Sequence, residues 1–253
     1  MRPALIAADV DLLVKPVWSS DGANLVFRRS APAAEGAGDF RLVSIELATG
    51  TERELVFSSG VAVFPVAFAP DGKRLFYVRV GTNASDLFVI DVASGEQHEA
   101  GRLADGLTRD WALSPTGDRL AYLEMTFADG QILSRAYVLD IATAVRRPAS
   151  DARGDNYSPI WSARGDLALG QAGGATSGVT TFRGSETFTL AGPARGFDVP
   201  LAWSPADDGL AVRSFDGSSA MAPGGAALTV VRPDGRRTTI ASGEVTFLGW
   251  TNP

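Results

Sequence analysis

The chain has 253 residues, 45% hydrophobic and 21% charged, with a net charge of −6, one histidine and no cysteine. That balance describes a folded protein with a sizeable core rather than a disordered one. It offers no broad basic face for nucleic acid. It also excludes disulfides, thiolate metal sites and cysteine nucleophiles.

In chain order, the opening stretch MRPALIAADVDLLVKP is interrupted by Asp9 and Asp11 and does not read as a secretory leader. No later stretch approaches the roughly 18 apolar residues of a bilayer span. Residues 5–22 instead align without a gap on residues 55–72, so the N-terminus reads as a fourth strand without the three that should precede it. Then a pattern begins: VWSSDGANLVF at 17–27, AFAPDGKRLFY at 67–77 and ALSPTGDRLAY at 112–122. Its anchors are Trp18, Phe68, Leu113, Trp161, Trp203 and Trp250, spaced 50, 45, 48, 42 and 47 residues apart. Such a period is that of a four-stranded propeller blade. A leucine follows each of the first five anchors, at Leu25, Leu75, Leu120, Leu167 and Leu210. Between anchor and leucine lie turn residues, proline to preset φ, Asp or Ser to bond the backbone, glycine for positive φ.

Each repeat therefore predicts strands a, b, c and d in an antiparallel meander whose two faces need neighbours to cover them. No segment has helical periodicity, so the expected fold is an all-β propeller, a single domain over 1–253. The last segment, VTFLGWTNP, is a strand a that stops at the turn. The favoured count is six blades, the closing blade being shared by the two termini and lacking its middle pair. That blade is either shortened or the chain is a piece of a longer one; a five-bladed ring is the alternative.

The run Trp-Ser-Pro-Asp-Gly-x-x-Leu-x-Phe, seen in variants at Trp18–Phe27, Phe68–Tyr77, Leu113–Tyr122 and Trp203–Val212, resembles the repeat of TolB-type propellers. The resemblance runs over almost the whole chain and implies the fold. It implies less about activity, since such propellers serve TolB itself, lipoproteins and the gating domains of prolyl-oligopeptidase-like hydrolases. No counterpart of the α/β domain that precedes the propeller in TolB is expected within these 253 residues.

In a meander the a–b and c–d turns share one end of the sheet, and the b–c and d–a loops the other. The first set is short and uniform. The b–c loops vary in length and composition, which is how repeat proteins build a binding surface. Candidate ligand-binding residues at that end are Arg29, Arg79, Asp110, Trp111, Glu124, Asp155, Tyr157, Gln171 and Asp198. Against this stands the plainer reading that strand ends are polar because they meet water. The in-register tryptophans read as packing between blades.

No catalytic constellation is expected. The single histidine, His98, falls on an outer strand, there is no G-x-S-x-G elbow, and the glycine-rich GQAGGATSGV at 170–179 lacks both phosphate-loop spacings. The expectation is a monomeric, non-enzymatic binding or scaffold propeller without cofactor or metal. It would hold a protein or peptide partner, in the periplasm or outside the cell, with the cytoplasm as the other possibility. A gating domain of a larger hydrolase, and a carbohydrate-binding or carboxylate-dependent glycan-acting propeller using acids such as Asp155 or Asp198, are the alternatives.

Overall fold

The computed structural model describes residues 6–31, 38–128, 131–149, 155–172, 178–183, 186–219 and 221–251. Among them every regular element is a strand. The first sheet holds β1 (Val17–Trp18), β2 (Asn24–Ala31), β3 (Asp39–Glu46) and β4 (Thr51–Ser59). The second holds β5 (Ala62–Phe68), β6 (Arg74–Val80), β7 (Ser85–Asp91) and β8 (Gln97–Ala104). The third has β9 (Thr108–Leu113), β10 (Arg119–Ala128), β11 (Gln131–Asp140) and β12 (Val145–Pro148). The fourth has β13 (Asp155–Trp161), β14 (Leu167–Ala172), β15 (Thr180–Arg183) and β16 (Glu186–Thr189). The fifth has β17 (Phe197–Trp203), β18 (Leu210–Phe215), β19 (Ala226–Val231) and β20 (Arg237–Ser242). In all five the order is the chain order a-b-c-d, antiparallel throughout. Two compact units result, one carrying the first two sheets and the other most of the last three.

The b strands are the most buried. Leu75–Val78 and Leu120–Leu123 are buried at every position, which is why they read as unbroken apolar runs rather than alternating ones. The a strands tolerate proline because one of their edges has no strand partner. Register shifts follow Pro65 in β5 and Pro200 in β17, and span Pro159 in β13.

The a–b turns are built by one device. The residue after each anchor accepts an N–H from three residues on: Gly22, Gly72, Gly117 and Gly165 donate to Ser19, Ala69, Ser114 and Ser162 at 2.9–3.0 Å. These glycines have φ of 67–84°, a region that costs L-residues about 1 kcal/mol or more. In the fifth sheet Asp207, φ 55°, takes the position. The serine hydroxyl then staples the turn. Ser19, Ser114 and Ser204 donate to Asp21, Asp118 and Asp208 at 2.5, 2.8 and 2.7 Å. The same oxygens accept the N–H of Asn24, Arg119 and Gly209. These serines are buried, so the Ser of the repeat is there to close a turn.

The expected sixth sheet is not formed among the described residues. Residues 6–16 and 243–251 carry no strand, and β1 keeps only two residues where β5 has seven. A strand is stabilised by its ladder, and neither segment has a b or c strand of its own to pair with. The C-terminal segment nonetheless repeats contacts made elsewhere between consecutive sheets. The Trp161 indole donates to Ala112 O at 2.9 Å, and Trp250 donates to Ala202 O at 3.3 Å; each acceptor directly precedes the preceding anchor. Arg28 reaches Val63 O at 3.4 Å, and Arg213 reaches Val245 O at 2.8 Å. Each arginine lies three residues past its leucine, and each carbonyl five before the next anchor.

Candidate functional site

At the b–c end of the first sheet, Arg29 is bound on both sides. Its guanidinium donates to Glu52 at 2.8 and 2.9 Å and to Ala8 O at 3.0 Å, and lies over Phe27. Its neighbour Arg28, which sequence reasoning passed over, is buried, pairs with Asp11 at 2.6 Å and stacks on Phe64 at 4.4 Å. Burial, the largest influence on Asp11, pushes its carboxyl up. Arg28, the Leu13 N–H and Ser30 together outweigh it and hold the group below its ordinary value. The alternation of an acid before the anchor and an arginine three past the leucine was the available signal.

On the second sheet Arg79 lies over Phe88 at 4.5 Å. Among the described residues it makes no ion pair, and its buried Nε has no partner. On the third, Asp110 is exposed with φ 54° and lies 3.9 Å from Arg109; Trp111 beside it is half-buried on β9. Glu124 is taken by Arg146 at 3.1 Å, whose guanidinium covers Tyr137.

The fourth and fifth sheets bring several candidates together. Asp155 and Tyr157 share β13, where the Tyr157 hydroxyl donates to Asp155 at 3.4 Å. Gln171, opposite Asn156 on β14, donates to it at 3.4 Å. Tyr157 stacks on Phe197 (5.5 Å), and Phe197 on Phe215 (5.1 Å), a three-ring ladder joining the two sheets. The close approach depends on Gly170, where a Cβ would stand 2.6 Å from Asp198 O. Asp198, expected in a loop at the surface, is instead within β17 and 1% exposed. Arg237 grips it at 2.7 and 3.0 Å and Ser214 donates to it at 2.5 Å. That triad leaves its carboxylate no free face for a ligand. Sequence reasoning missed Phe197 and Phe215, which look like any strand aromatics until the sheets are stacked.

Asp155 and Gln171 thus stand beside a ladder that is itself core, Tyr157 being 7% and Phe197 3% exposed, while Arg79 and Asp110 stand at the corresponding ends of their own sheets. A ligand at such an end can meet charged and polar side chains, not the faces of the buried rings. His98, opposite Val89 at the outer strand β8, is exposed, and among the described residues no three His, Cys, Asp or Glu side chains cluster as metal ligands.

The architecture matches solved propellers. TolB from Acinetobacter baumannii superposes with a TM-score of 0.61 at 17% identity, over 91% of this chain and 55% of that one. A TolB from Agrobacterium tumefaciens, described as putative, gives 0.62 at 20%, over 90% and 81%. An oligogalacturonate lyase in complex with manganese gives 0.64 at 16%, over 90% and 65%. This chain has the fold of the TolB-type β-propellers. It spans about half the length of the A. baumannii protein. No protein-family model matches the sequence, and no curated protein matches it. No helix is long and apolar enough to cross a membrane among the described residues.

Proposed function

We propose that this propeller is a binding scaffold that holds a protein or peptide partner at the b–c ends of its sheets, outside the cytoplasm. The observation that carries the reading is the contrast between the two ends of each sheet. The a–b ends repeat one hydrogen-bonded turn five times. The b–c ends differ from sheet to sheet, and one of them carries Arg79, which among the described residues pairs with no carboxylate. The structural neighbours also support a scaffold over a chemistry, since TolB and a lyase share it. The test is selection of a peptide-display library on the purified chain. Selected peptides should lose about tenfold in affinity on Arg79→Gln. Peptides indifferent to Arg79→Gln and to loop exchange at 216–225, or turnover in a hydrolase or lyase screen, would overturn it.

A second reading is favoured by one comparison: 90% of this chain superposes on only 36% of Porphyromonas gingivalis dipeptidyl peptidase 4, with a TM-score of 0.63. There the chain would be an accessory propeller of a larger hydrolase. We also infer that Val245–Trp250, which forms no strand, takes the place that strand a of a further blade would hold, seated by Arg213 and Trp250 as the equivalent segments are. Removing residues 244–253 should then lower the urea midpoint; an unchanged midpoint would leave five blades.

A further inference from the structure

Two adjoining cavities of about 390 and 320 Å³ share Pro148, Ala149 and Phe182 and form a groove beside the core common to the third and fourth sheets. Its origin is legible in the registers. Between the first and second sheets, Val26, Leu42 and Val56 pack with Phe68, Leu75, Tyr77 and Ile90. The first three correspond to Ala121, Ala136 and Ala149: Leu42 faces Arg28 and Val56 across the ladder, as Ala136 faces Leu123 and Ala149. The other four correspond to Trp161, Leu167, Leu169 and Phe182: Leu75 faces Phe68 and Ile90, as Leu167 faces Trp161 and Phe182. Three of these side chains thus shrink to alanine and the tyrosine to leucine, and the ring gained at Phe182 does not fill what they leave.

The smaller cavity is apolar along its walls and charged at its rim. Trp161, Leu167 and Phe182 form a row across the fourth sheet, Trp161 facing Leu167 and Leu167 facing Phe182 on the ladder. Against that row the third sheet sets only Val138 and Ala149. The ring-bearing walls are flat: the Phe182 ring, and the Trp161 ring with the Arg119 guanidinium spread over it at 4.7 Å. Arg119 also lies 3.6 Å from Asp118, so its charge is already offset. The charge left over is that of Arg147. Ala149 N–H donates to Ala136 O, so Arg147, two residues earlier, stands across from Val138 on the same face. Adjacent Arg146 turns to the opposite face, to Glu124. Arg147 is exposed and takes part in no ion pair among the described residues, and no carboxylate is among those that line the cavity.

We propose that the smaller cavity binds a small planar aromatic carboxylate, its ring against Phe182 and the Arg119–Trp161 stack and its carboxylate on Arg147. A volume of about 320 Å³ stands at the small end of ligand pockets, roughly 300–1,000 Å³, and limits the ligand to a compact one. Burial of the ring supplies the attraction, and flat walls favour a flat ligand over a branched or flexible one. The arginine fork selects the anion, since it takes a carboxylate bidentately. The larger cavity runs on towards Gln171 and is not part of this site. The lining of the smaller one shares no residue with the b–c candidates, so the inference stands whether or not a protein partner binds at that end.

The probe is 2-naphthoate, titrated by calorimetry into the full chain. Saturable binding is expected. The neutral analogue 2-naphthylmethanol should bind about tenfold more weakly. Arg147→Gln, at an exposed side chain the fold does not need, should weaken naphthoate about tenfold and leave naphthylmethanol unchanged, which places the carboxylate on that arginine. Ala149→Leu, which fills the cavity without touching charge, should weaken both ligands, with an unchanged urea midpoint certifying the fold. Arg195→Gln, which removes an exposed arginine outside the cavity, should change neither. Absence of saturable binding, equal losses of the two ligands on Arg147→Gln, undiminished binding to Ala149→Leu, a loss on Arg195→Gln as large as on Arg147→Gln, or octanoate binding as tightly as naphthoate would each overturn the proposal.

Discussion

The first and second sheets meet across a filled interface, while the third and fourth share a core of Leu123, Leu167 and Leu169 beside two cavities of about 390 and 320 Å³, although all four are written in the same repeat. In the first case Val26, Leu42 and Val56 interlock with Val63, Phe68, Leu75, Tyr77 and Ile90, nearly all of them fully buried. In the second, alanines stand in place of three of those side chains, and cavities lined by Pro148, Ala149 and Phe182 remain beside them. The lesson is that the repeat fixes backbone and turns, while the residues between its signature positions decide whether an inter-sheet seam is core or cleft. Stability should be carried chiefly by the first kind of seam.

The sharpest way to break that contrast is to truncate matched aromatics. Tyr77→Ala should cost about 3–5 kcal/mol by urea unfolding. Phe182→Ala, on the half-buried wall of the groove, should cost under about 1.5 kcal/mol. Equal losses would mean that both seams are core. Next in size is the exchange of the small residues. Leu42→Ala should cost about 2–5 kcal/mol by opening a cavity, whereas Ala149→Leu should stay within about 1 kcal/mol because the groove has room.

The charged anchors give a pH test of the same division. The carboxyl of Asp11 is held below its ordinary value in the folded state, chiefly by Arg28 against the opposing effect of burial. Its contribution is therefore present above the unfolded value near 3.8 and is lost as pH falls through the lower folded one. Urea midpoints of the parent chain should drop on acidification below about pH 4, and Asp11→Asn should flatten that drop. A variant with the parent's slope would remove the pair from the account. Smallest is the turn staple. Ser114→Ala should cost about 1 kcal/mol, and Ala69→Ser, in the one a–b turn lacking the hydroxyl, should recover a few tenths, read as shifts in melting temperature.

Much of the fold was legible because its causes are local. Proline, glycine and the serine that follows most anchors specify a turn within five residues, so the strand pairs on either side could be read without coordinates. The candidate site was less so. Arg29 and Glu124 stand at strand ends as expected but spend their charge on Glu52 and Arg146, partners that lie 23 and 22 residues away. Asp198 looked like a loop acid and lies clamped inside the fifth sheet, because its partner Arg237 comes from the far strand of that sheet. The closing sheet was overread: alignment of 5–22 on 55–72 conveys similarity of sequence, not the presence of a ladder to join.

By itself the sequence determined an all-β chain of repeated four-stranded units, their turns and their buried central strands, since each follows from interactions among near neighbours. Only the tertiary structure decided which apolar positions meet across a seam, that three alanines in register leave space there, and which charged side chains pair. Those outcomes depend on side chains some fifty residues apart, whose pairing is set when sheet packs on sheet.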